Sequence, residues 1–176
     1  GGGSGDESEA APTGGTWEDG EAVRGNVSVT WKNLDTRNPP AAASLVNESS
    51  EIGQKLKSGR ASSSEIRVLT DAEMGGLLAA LDKIGFFRYA TDGMDLGNAP
   101  DVAGRRGIVV VTQNGASKGL MLTTNMGVSP VPKAYVDAKK TICAIHEHLP
   151  GFDVKSNVGA PDERAPDPTD GRPDPE

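Results

Sequence analysis

Cysteine is nearly absent from this chain. Cys143 is the only one in 176 residues, which excludes an intrachain disulfide and any metal cage built from several thiolates. His146 and His148 stand close to it. On a helix, however, positions 143 and 146 share a face while 148 points elsewhere. Zinc would also need a fourth ligand and hydrogen-bonded support around the first three. Aromatic residues are scarce at 4%, and hydrophobic residues reach only 35%, which shortens the length of chain able to pack as a core. No stretch approaches the ~20 apolar residues of a membrane-spanning helix. A phosphate-binding glycine loop is missing too: Gly75-Gly76 falls inside a predicted helix, not between a strand and a helix.

Glycine, proline and acid are abundant, and they are unevenly placed. The 23 Gly and 12 Pro gather at both ends and in one mid-chain stretch, where backbone entropy opposes packing. Residues 1–25 hold six acids against Arg24, and residues 152–176 hold seven acids against three bases. The whole chain carries −7, so residues 26–151 are slightly positive and the acidity belongs to the ends. Three regions follow: an acidic Gly-rich tether (1–25), one folded domain (26–151) and an acidic Pro-rich tail (152–176). Nucleic acid is not an expected partner, because phosphate binding needs bases concentrated on the folded face. Lys55, Lys57, Arg60 and Arg67 form the nearest such cluster and read as ordinary solvated surface.

A start at Gly1 rather than Met points to processing or truncation. Gly1-Gly2-Gly3-Ser4-Gly5 followed by Asp6, Glu7 and Glu9 reads as a flexible acidic tether. It resembles the segment after the lipidated cysteine of mature bacterial lipoproteins, although an engineered glycine-serine scar would read the same way. Membrane contact is therefore expected only through an N-terminal lipid anchor.

Within the folded region, Asn26 to Lys32 alternates strictly, with Val27, Val29 and Trp31 on one face: a half-buried strand. Asn38-Pro39-Pro40 breaks the chain. Residues 41–62 stay open, with a short strand at Ala43 to Val46 and a short helix at Glu51 to Lys57 as the candidates; Gly53 argues against a long helix. Glu65 to Leu69 is extended, with Ile66 and Val68 on one side. Thr70-Asp71-Ala72-Glu73 is a capping box, and Met74, Leu77, Leu78, Leu81 and Ile84 follow at helical spacing up to Gly85, a left-handed cap. Ile108 to Thr112 is a β-branched run suited to a central strand. Asn114-Gly115 supplies a type I′ turn, and Leu120 to Leu122 makes the return strand, with Gly119 marking a candidate bulge. After Ser129-Pro130, a second helix carries Tyr135, Ala138, Ile142, Ile145 and Leu149 on one face. Lys133, Lys139, Lys140 and Glu147 face water, and Pro150-Gly151 ends the helix.

This order predicts an α+β two-layer sandwich: a mostly antiparallel sheet of four to five strands with two amphipathic helices on one face. The other face is expected to be partly polar, with Ser28, Thr30, Lys32, Glu65 and Arg67. The capped helix ending in Gly85-Phe86-Phe87, followed by a loop, a hairpin and an amphipathic helix, resembles a group of uncharacterised bacterial exported domains often found on lipoproteins. The resemblance covers about residues 63–150. It implies an envelope location and carries no activity.

Catalytic signals are weak. Cys143 and His146 are the only thiol–imidazole pair, and no tight turn exposes the thiol. Asp92 and Asp95 sit on a loop at 89–104, which lacks the rigid support acid–base work requires. That loop is the one candidate for a metal. Asp92, Asp95 and Asp101 could offer oxygens to calcium, but Met94 occupies the third position and no distal Glu follows. The expectation is no metal, no cofactor and no catalysis. The leading function is an accessory or scaffold subunit of a protein assembly in the bacterial cell envelope. The alternative is a small-ligand or calcium-binding module using residues 92–101.

Overall fold

Six strands and four helices build the computed structural model, which describes residues 22–35, 41–124 and 130–148. The strands are β1 (Val27–Asn33), β2 (Ala42–Asn47), β3 (Ile66–Leu69), β4 (Thr91–Asp92), β5 (Arg105–Gln113) and β6 (Ala116–Thr123). They form one open sheet in the order β3-β2-β1-β5-β6-β4, antiparallel throughout except for the β2–β3 pair. The helices are α1 (Glu51–Lys57), α2 (Asp71–Lys83), α3 (Phe86–Tyr89) and α4 (Pro130–His148).

The α+β class agrees with the sequence, but the sheet is larger and more mixed than four or five strands with two helices. Three short elements make the difference. β4 has two residues, too few for any periodicity to show. α1 is the crossover that lets β3 run parallel to β2. α3 arises because Gly85, at φ 92°, ends the turn after α2 and lets Phe86-Phe87 restart a helical turn instead of an extended loop.

β5 lies at the centre, between β1 and β6, and Gly107 to Val111 are all buried, as the β-branched run implies. Asn114 (φ 51°) and Gly115 (φ 91°) make the type I′ turn. The irregularity expected at Gly119 occurs instead on the partner strand, between Arg105 and Gly107. Gly119 serves a different need: Met94 lies on it, with Cγ 2.9 Å from where a β-carbon would stand. Gly107 likewise leaves room for the Tyr135 hydroxyl.

The core fills one face of the sheet. Val29, Leu45, Leu69 and Val109 meet Leu77 and Leu81 of α2, Phe86 of α3, and Ile142 and Ile145 of α4, all fully buried. Each such side chain contributes about 1.5–3 kcal/mol relative to exposure. Packing includes Val23, whose N–H bonds the Asp71 carbonyl at 3.2 Å. The capping box of α2 forms in full: Glu73 N–H donates to Thr70 Oγ1 at 3.0 Å, and Thr70 N–H to Glu73 Oε1 at 2.9 Å.

β3 reverses the faces assigned from sequence. Its register pairs Ser44 with Ile66 and Leu45 with Arg67, and Leu45 points into the core. Arg67 therefore shares the helix-covered face with Leu69, while Ile66 and Val68 join Ser28, Thr30 and Ser44 on the other. A four-residue edge strand has too little alternation to say which face is which. Lys139 also departs from a purely solvated role: its ammonium sits 4.6 Å from the centre of the Trp31 ring. Pro39-Pro40, Ser129, Leu149, Pro150-Gly151 and the tail lie outside the described residues.

Candidate functional site

The chain between β4 and β5, residues 93–104, is held by its own polar side chains. Asp95 Oδ1 accepts from the N–H groups of Gly97 (2.9 Å) and Asn98 (3.0 Å). Asn98 returns the contact, accepting from Asp95 N–H at 2.8 Å and donating Nδ2–H to the Gly93 carbonyl at 2.8 Å. These bonds replace backbone pairing and fix the turn. Within it, Leu96 and Val102 are the two exposed large hydrophobics, at 45% and 46%.

Next to this loop, an open cleft of about 670 Å³ runs from β4 to the tip of the β5–β6 hairpin. Phe87 and Val111 from the core reach its floor, while Asp92, Asp95 and Lys118 bring charge to its lining. Phe87 is turned there by the short helix α3, its ring edge-on to Phe86 at 5.0 Å.

The structure places each candidate metal ligand and gives each another role. Asp92 Oδ1 is 2.7 Å from Lys118 Nζ. Asp95 closes the turn. Asp101 pairs with Arg105 at 3.8 Å and is almost fully exposed. Among the described residues no group of three or more His, Cys, Asp or Glu side chains could hold a metal ion.

Cys143 and His146 lie on α4. Burial pushes the Cys143 thiol above its ordinary value; the Lys139 ammonium partly opposes this and the Glu147 carboxylate adds to it. His146 Nε2 bonds the Glu65 carbonyl at 2.8 Å, pinning α4 to the start of β3. Tyr135 is more deeply buried. Its hydroxyl accepts from Trp31 Nε1–H at 2.7 Å, and burial drives its pKa far above that of an ordinary phenol. A thiol held protonated is a poor nucleophile.

Sequence reasoning missed two features. One is the exposure of Leu96 and Val102; their signal was apolar residues stranded in a polar loop with no periodic partners. The other is a buried polar cluster around Asn47, which is fully inaccessible. Asn47 Oδ1 accepts from Val27 N–H, and Nδ2 lies within 3.0 Å of the Gly25 carbonyl, Ser49 Oγ and Asp71 Oδ1. The Asn47 carbonyl accepts from Ser50 Oγ–H at 2.6 Å, and Gly53 packs so close to it that a β-carbon would clash. Nothing in the run Ala-Ala-Ser-Leu-Val-Asn announces that cluster.

No known family model, curated protein or solved structure matches the chain.

Proposed function

We propose that this chain is a non-catalytic protein-binding domain, an accessory or scaffold subunit of an assembly in the bacterial cell envelope. The observation that carries the reading is the 93–104 loop, whose Asp95–Asn98 bonds fix a turn that exposes Leu96 next to Asp95 at an open cleft, with Val102 exposed further along the loop. An apolar side chain held out on a hydrogen-bonded turn favours association, because less conformational entropy remains to be lost on binding.

The envelope location rests on the likeness of the acidic Gly-rich N-terminal segment to lipoprotein tethers and on the Gly85-Phe86-Phe87 resemblance.

The test is purification of the native protein in gentle detergent, followed by mass determination of the intact particle. Stoichiometric partners that are lost from the Leu96→Asp/Val102→Asp variant are expected. A particle of one chain, or partners retained by the folded variant, would sink the reading.

A further inference from the structure

We infer that the cleft beside β4 receives a lysine or arginine side chain of the partner protein, carried next to an apolar residue. The inference rests on the protein-binding reading and names the chemistry of the partner at that site. Its floor is apolar, with Phe87 and Val111 reaching it from the core, so the aliphatic stem of a long basic side chain can lie along it. Its rim is acidic where it is accessible. The Asp92 side chain is 84% exposed, whereas the Lys118 side chain is 37% exposed and already committed to Asp92 Oδ1. Asp95 uses Oδ1 for the turn, so the second oxygen of each carboxylate is left for an incoming cation.

An anionic side chain fits worse. The cation it would need is Lys118, and binding there would displace Asp92. A cleft of about 670 Å³ is also larger than one side chain, which leaves room for an apolar neighbour beside the basic stem on the Phe87–Val111 floor. Long side chains seated in such pockets are the anchors that dominate protein–protein contacts.

The probe is a pair of capped tripeptides, acetyl-Leu-Arg-Leu-amide and acetyl-Leu-Glu-Leu-amide, titrated into the full chain with isotope-labelled amides followed by NMR. The arginine peptide is expected to shift Val111, Ser117 and Lys118 saturably, and to bind about fivefold tighter than the glutamate peptide, the range of one exposed ion pair. Asp92→Asn/Asp95→Asn keeps the turn, because asparagine retains the acceptor that Gly97 and Asn98 use, and it should abolish the preference. No saturable shift, equal binding of the two peptides, or a preference that survives the double substitution would each overturn the inference. The outcome is separable from that of the purification. A chain that travels with partners yet ignores the arginine peptide loses only this assignment; a solitary chain that binds it loses only the assembly.

Discussion

Two regions of this molecule use the same side chains for opposite ends. Around Asn47, that asparagine and Asp71 are buried, and each bonds several groups from different parts of the chain. In the 93–104 loop, an asparagine and an aspartate bond only groups within five residues of themselves and stay near solvent. The first cluster joins the N-terminal segment, the end of β2 and the start of α2. The second shapes one loop. Burial is what separates them: a buried polar group must be matched or it costs its full desolvation, whereas an exposed one exchanges its partner for water.

The comparison is sharpest in mutants. Asn47→Ala would strip partners from Val27 N–H, the Gly25 carbonyl and Asp71 together, and is expected to lower unfolding free energy by about 3 kcal/mol in urea titration. Tyr135→Phe tests a second buried polar contact. It leaves Trp31 Nε1–H without its acceptor and should cost about 1–2 kcal/mol at neutral pH. The pH dependence has a definite sign. The folded phenol keeps its proton after the unfolded one begins to ionise near pH 10, so the wild-type chain loses stability as pH rises beyond that. Unfolding series at pH 9 and 11 should show this part of the loss missing from the phenylalanine variant.

Changes in the loop should be milder. Asn98→Ala removes the bonds to Asp95 and Gly93, and about 1 kcal/mol is expected, seen mainly as faster hydrogen exchange at Asp95. A cost equal to that of Asn47→Ala would erase the distinction between the two regions. Asp92→Asn breaks only an exposed ion pair and should change stability by less than about 0.5 kcal/mol, with the difference fading in high salt. Smallest of all is calcium: at millimolar concentration the melting temperature should not move, since Asp92, Asp95 and Asp101 do not converge into a group of ligands. A saturable rise would instead favour the ion-binding alternative.

Legibility followed the length of the pattern. α2 could be read end to end, from Thr70 to Gly85, because a capping box, a stripe and a left-handed glycine all agree locally. The β5–β6 hairpin was equally plain from Asn114-Gly115. α1 was legible only as a candidate, and Gly53 shows why: it breaks the helical signal, yet its missing β-carbon lets the helix approach the Asn47 carbonyl. The site was half visible. Its Asp-rich loop stood out by composition, while the cleft needs Phe87, Val111 and Lys118, which come from three separate elements.

By itself, then, the sequence determined the regular elements with strong local signals, the acidic ends and the core stripes, since each depends on neighbours within a turn or two of chain. Tertiary structure alone decided which face of β3 is inside, that Gly119 makes room for Met94 instead of a bulge, that Lys139 covers Trp31, and that Asp92, Asp95 and Asp101 do not converge. Those outcomes depend on contacts between residues remote along the chain. They are set by strand register and by the competition of buried groups for partners, and no local pattern encodes either.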